Sequence, residues 1–266
     1  MKLHFLAKLV LLALTVVLMW GGNAKADDFT DAMAKAKSNL KSAVNKFDEK
    51  GMLKARGEFE RILQLKQDPW LVNYYIAYAD YNIALTGMQN PEKVDLEKIK
   101  KYTQSGLEAL DKSVDVKDNF ADAYILRMFL NFNRFNYEQD KMNEIIGATQ
   151  QAQAKAEELE AGNPRLYLVK GISSFYTPEM FGGGVKAALP DLEKSAEIFL
   201  TRKEASELYP DWGNDIAYGY LALSMLKRGD EGDKDKAKAY MDKGLEVNPE
   251  SGMIMSYVKS EYNKTK

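Results

Sequence analysis

The chain has no cysteine, and its one histidine, His4, lies in the first few residues. These two absences exclude disulfides, thiol catalysis, imidazole acid–base chemistry, Ser-His-Asp triads and zinc sites of the usual ligand types. Carboxylate chemistry and oxygen-ligated metals survive, but no Asp or Glu pair is set apart as the two acids of a hydrolase. The sequence therefore reads as a binding protein and not as an enzyme, and no cofactor is expected. Strand-like alternation is also missing, since Val114-Asp115-Val116 and Glu246-Val247 are too short to count. There is no low-complexity segment, no long linker and no shift in composition that would mark a boundary between domains. A strong charge of one sign is absent too: the formal net charge is −2. That mild acidity argues against nucleic acid and against tight binding to anionic lipid.

The one long apolar run is at the start. Lys2 and Lys8 give a basic beginning, Leu9 to Trp20 form a run of 12 residues, Gly21-Gly22 break it, and Ala24-Lys25-Ala26 offers a small-x-small cleavage site. This order predicts a secretory signal peptide over residues 1–26, with the mature protein, residues 27–266, beginning at Asp27. An uncleaved anchor is the competing reading, although the run is short for a bilayer. No cysteine follows the run, so no lipid anchor is expected. The protein is expected in a bacterial periplasm, or fully secreted, without stable membrane insertion after cleavage. Losing Lys2, Lys8 and Lys25 takes the formal charge from −2 to −5.

What is present is helical. Asp68-Pro69, Asn163-Pro164 and Asn248-Pro249 each pair an N-cap residue with a proline at the first helical position, and Asp118-Asn119 and Asp211 mark two further starts. Starts at 69, 119, 164, 211 and 249 lie 50, 45, 47 and 38 residues apart. Five antiparallel hairpins follow, the first over about Phe29 to Leu65, with a helix from about Glu250 to Tyr262 capping the stack. Within the last hairpin, Ala237, Met241 and Gly244 share one helix face ahead of Pro249, so small residues admit a neighbouring helix on either side of a bulky one. Weaker versions of this register are Gly106/Leu110/Ser113, Thr149/Gln153/Ala156 and Ala188/Leu192/Ser195. The stretch from Thr201 to Asp215 is the longest expected irregular region.

The Ala237-Met241-Gly244-Pro249 spacing, with Tyr167 and Gly171 in the fourth hairpin, resembles the tetratricopeptide repeat (TPR) superfamily. The match extends loosely over nearly all of the mature region. HEAT-like repeats are the alternative on length alone. The resemblance implies an all-α solenoid whose first helices line a concave binding face. A narrower likeness, from export and glycine-rich turns within hairpins, is to the T-component of tripartite ATP-independent periplasmic transporters, which implies an apolar ligand held within the stack. The cysteine for a lipid anchor is missing.

In that register the concave face presents Leu71, Tyr74, Tyr78 and Tyr81, then Ile125, Phe129 and Phe132, then Leu168, Ile172 and Phe175, then Leu223 and Leu226. An apolar, aromatic groove needs an occupant: a greasy ligand, a partner helix or the chain's own terminal helix. A stripe at this spacing is equally the mark of ordinary helix packing. The segment Tyr176 to Gly184 is the second candidate. Gly182-Gly183-Gly184 precede a helix, so their N–H groups could face an anion beside Lys186. The competing reading is an elaborate turn with Met180 and Phe181 tucked against the stack. Pro190 is expected in the first turn of the following helix. The acidic run Asp230-Glu231-Asp233-Asp235 lacks the ligand order of a calcium loop, so no metal site is expected. The first functional expectation is an exported scaffold for a protein partner, and the alternative is a binder of an apolar small molecule or lipid in the aromatic groove.

Overall fold

Apolar residues at helical spacing close the first hairpin. In the computed structural model, which describes residues 28–90 and 92–265, α1 spans residues 28–45 and buries Phe29, Met33, Ala36, Leu40 and Ala43 on one face. Facing it, α2 (Glu49–Ile62) buries Met52, Ala55, Phe59 and Ile62. The expected signal peptide and Asp27 lie outside the described residues.

Four more hairpins follow in chain order: α3 (Pro69–Thr86) with α4 (Leu96–Val116), α5 (Ala121–Arg134) with α6 (Met142–Glu160), α7 (Pro164–Tyr176) with α8 (Val185–Phe199), and α9 (Asn214–Arg228) with α10 (Asp233–Val247). A last helix, α11, makes a π-helical turn over Met253–Val258 and ends as an α-helix over Lys259–Lys264. No strand occurs among the described residues. Each hairpin packs on the next, with α2 on α3, α4 on α5, α5 on α7 and α8 on α9, so the fold is an all-α solenoid. Its last hairpin is covered by α11, which buries Ile254 and Val258 against α9 and α10.

The repeat register has a visible physical basis. A methyl group at Gly171 would sit 2.7 Å from the Leu192 side chain, and one at Gly244 only 2.3 Å from Ile254. Only glycine permits these two helix contacts without a shift. The serine closing the second-helix register recurs in role: Ser113 donates to the Trp70 carbonyl at 2.7 Å, and Ser195 donates to the Pro164 carbonyl at 2.8 Å. Each ties a second helix to the start of its first. Buried Asp80 joins the first two hairpins, accepting from Arg56 of α2 and Ser105 of α4.

Several local expectations are corrected. Asn163 caps α7 as read, accepting from the Arg165 amide at 3.0 Å. Asp68 instead takes a left-handed conformation and accepts from the Trp70 indole at 3.1 Å. Asp211 does not start α9, because the irregular stretch runs through Gly213. Asn248 does not cap a helix at Pro249; the chain turns once more, and Asn248 serves a tertiary contact described below. Pro190 lies inside α8, beyond its first turn.

Candidate functional site

The solenoid curls until its first and last elements touch, so the concave side is a partly enclosed cavity and not the fully open groove the sequence suggests. Three contacts close it. Lys37 of α1 donates to the carbonyls of Glu207 and Tyr209, both at 2.6 Å, and pairs with Asp211 at 3.3 Å. Lys41 meets the other oxygen of Asp211 at 3.2 Å. Asn45, at the end of α1, exchanges side-chain hydrogen bonds of 3.3 and 3.1 Å with Asn248. The backbone at Gly252 lies so near the Asn45 carbonyl that a Cβ there would come within 2.0 Å of it.

Behind the aromatic wall, the irregular segment from Thr201 to Gly213 is held by one buried cation. Arg165, fully buried at the start of α7, donates to the carbonyls of Pro210 and Trp212, to Asp122 at 3.3 Å and to Glu204 at 2.6 Å. Its guanidinium also lies 5.5 Å from the Trp212 ring centroid. Arg202 binds Glu204 and Glu160 as a second clamp. This anchoring lays Trp212 flat on Tyr78, with centroids 5.3 Å apart and planes 13° apart, while its indole N–H donates to Tyr74 at 2.8 Å. Tyr81 stacks on Phe129 at 5.0 Å and 19°. Both stacked pairs contribute to the cavity wall. Tyr176 and Tyr220, 3.2 Å apart through their hydroxyls, stand at its side. Leu40 and Val44 of α1 and Met253 and Tyr257 of α11 close it opposite. The enclosed volume is about 330 Å³.

Of the groove residues read from the sequence, Tyr78, Tyr81, Phe129 and Ile172 line the cavity. Tyr74 is fully buried behind it, bonded to Trp212. Leu71, Ile125 and Leu168 are packing residues. Phe132 stacks on Phe135 at 6.4 Å, and Phe175 lies under the ammonium of Lys227, edge-on to Tyr176 and Tyr220. The aromatic stripe thus divides between residues packed into the core and residues that line the void. Trp212, Tyr220, Tyr257 and the α1 residues escaped sequence reading. They come from an irregular loop, a late helix and the far end of the chain, and no periodicity connects those places.

The glycine-rich segment is a self-satisfied turn. The amide of Gly182 donates to Glu179, that of Gly183 to Pro178, and that of Gly184 to Ser174 and Thr177. These amides are engaged with their own chain, so the anion cradle is not formed. Gly182 and Gly184 have φ of 83° and 88°, where other residues are strained. Contrary to expectation, Met180 and Phe181 are not tucked in but are 83% and 72% exposed. A Cβ at Gly183 would fall 2.1 Å from the Thr177 carbonyl oxygen. Gly183→Ala should therefore destabilise the chain by about 1–3 kcal/mol in denaturant unfolding, whereas an unchanged midpoint would contradict this geometry.

Neither a protein-family model nor a curated protein matches the chain. Solved structures do. The chain is similar to the HusA haemophore from Porphyromonas gingivalis, with a TM-score of 0.62 and 23% identity over 74% of this chain and 92% of that one. It is also similar to a thermophilic TPR protein from Thermus thermophilus, with a TM-score of 0.54 and 16% identity over 85% of this chain and 98% of that one. The fold is TPR-like. At these identities the similarity speaks for the fold alone.

The charges around the cavity set its response to acid. Burial lowers the Lys37 ammonium below the ordinary lysine value, with Asp211 opposing. Burial alone would raise Asp211, but Lys37 and Lys41 outweigh it and hold the carboxyl below its usual range. Glu204 is likewise lowered, with burial outweighed by Arg202 and Arg165. Both folded values lie below the unfolded ones, so the stability these groups add is complete above about pH 5 and is lost as pH falls further. The near-UV circular dichroism of Trp212 should therefore fade on acidification before the far-UV helical signal does. Simultaneous loss of both signals would contradict this.

Burial pushes the phenols of Tyr78, Tyr81 and Tyr220 far above the ordinary tyrosine value, so they stay neutral. The cavity wall is therefore aromatic, uncharged over most of its area, and open to a guest.

Proposed function

We propose that the protein is an exported binder of a flat, largely apolar multi-ring molecule, which lies on the paired aromatic rings inside the solenoid. The observation that carries this reading is the pairing of Trp212 with Tyr78 and of Tyr81 with Phe129 in the wall of a partly enclosed space that the chain itself leaves unfilled. Parallel ring faces suit a flat guest. The volume falls at the lower end of the range for small-molecule sites. One structural neighbour is a haemophore, which makes tetrapyrroles the first probes to try.

No histidine or cysteine occurs after His4, and the cavity phenols are held neutral. The ring faces, and not a bond to a metal, would then carry the affinity. Titration with protoporphyrin IX and with its iron complex, followed by quenching of Trp212 fluorescence, tests this. Both should saturate at a dissociation constant of about 1 μM or below, within about threefold of each other, if the ring system and not the iron carries the affinity. Absence of quenching by either compound would sink the reading.

A second reading, a protein partner, is favoured by the exposed pair Met180 and Phe181 at the tip of the turn between α7 and α8. With the concave face closed, such a partner would meet the outer surface, and a transporter subunit is the kind suggested by the T-component likeness. Crosslinking in periplasmic extract should then be lost in Phe181→Ser, and retention of the crosslink would count against this surface.

A further inference from the structure

One corner of the cavity is polar and rich in acceptor oxygens. It is built where α9 begins and α10 hands over to α11. Asn214 and Asp215 stand in the first turn of α9, and Asn248 and Ser251 lie in the turn before α11; all four line the cavity. Asn248 binds the corner together: its side-chain amide donates to Asp215 at 2.9 Å, and its backbone carbonyl accepts from the Ser251 amide at 3.0 Å.

Two polar atoms here are left over. Ser251 is only 1% exposed, yet its hydroxyl has no hydrogen-bond partner, and the side-chain oxygen of Asn214 is likewise buried without one. Buried polar atoms are rarely unpaired, because each forfeits its bond to water. Beside them, Asp215 is close enough to Tyr78 for its charge to act on that phenol. The carboxylate and the amide oxygen can only accept, and the hydroxyl can accept or donate, so a donor offered here suits all three.

Resting on the ligand reading above, we propose that the guest carries an N–H or O–H donor on one edge, which enters this corner while its ring lies on Trp212 and Tyr78. A guest with a carboxylate on that edge would face Asp215 and the Asn214 oxygen and would be disfavoured, so the two propionates of protoporphyrin IX would lie towards the open mouth of the cavity and not in this corner. Lys37 and Lys41 do not reverse this, since both already pair with Asp211.

Three fluorescent probes of one ring system test the edge group: pyrene, 1-aminopyrene and 1-pyrenecarboxylate, titrated into the intact chain. The amine should bind about tenfold more tightly than pyrene, a difference of about 1.4 kcal/mol, and the carboxylate more weakly than the amine. In Ser251→Ala/Asn214→Ala the ratio of amine to pyrene affinity should fall towards one. The single Ser251→Ala variant, which removes one oxygen and no packing atom of consequence, should lower it part of the way. Equal affinities in the unaltered chain, preference for the carboxylate, or a ratio unmoved in the variants would overturn the donor corner while the aromatic cavity stands. Failure of all three probes to bind would overturn both.

Discussion

Replacing Arg165 with methionine is expected to cost about 3–5 kcal/mol, the loss typical when one partner of a buried ion pair is removed. The side chain is fully buried, as is its partner Asp122. Without the guanidinium, Asp122 is left as an uncompensated carboxylate, and the carbonyls of Pro210 and Trp212 lose their donor. The effect should not be confined to stability. Arg165 holds the segment that lays Trp212 on Tyr78, so the cavity floor should loosen even where the helices persist. Far-UV circular dichroism at low denaturant should stay near that of the parent, while near-UV signal and ligand binding are lost. Adding Asp122→Leu to the variant should recover part of the stability, because apolar replacements of a buried pair are often tolerated. It should not recover binding, since nothing then anchors the loop. A variant that binds as well as the parent would show that the floor does not depend on this cation.

The second large effect concerns space. Val44 is half-buried on α1 and faces the cavity opposite the aromatic floor. Val44→Trp would fill the void with an indole and compete with any guest. Binding of protoporphyrin IX should weaken by at least about 100-fold, or roughly 2.7 kcal/mol. Stability should change by less than about 1 kcal/mol, because the added ring enters empty space and not a filled core. Undiminished binding with the indole in place would mean that the guest sits elsewhere.

The architecture was legible because helix caps, small-residue positions and apolar spacing all act locally. Gly171 and Gly244 mark helix contacts that only glycine allows, and proline at 69 and 164 marks true helix starts. The site was legible only in part. Tyr78, Tyr81, Phe129 and Ile172 recur at helical spacing and do face the cavity, but Tyr74 belongs to the same stripe and is buried behind it. Trp212 of the irregular chain contacts both, bonding to Tyr74 and stacking on Tyr78, and the course of that chain is set by Arg165, an arginine with no local signal of burial. The closure of the ring was equally hidden. It depends on Lys37, Lys41 and Asn45 meeting residues at 207–211 and 248, a separation that no sequence period spans. The glycine-rich turn misled in the opposite direction: its amides suggest an anion site until their internal partners are counted.

The inner face of this solenoid is a partly enclosed aromatic cavity, and we propose that it holds a flat guest. The most direct measurement is an isotope-filtered nuclear Overhauser experiment on the protein saturated with metal-free protoporphyrin IX. Ring protons of the guest should show contacts to Phe129, Ile172 and Val44, residues from three hairpins that only the interior brings together. Contacts confined to outward-facing side chains such as Met180 and Phe181 would contradict the account.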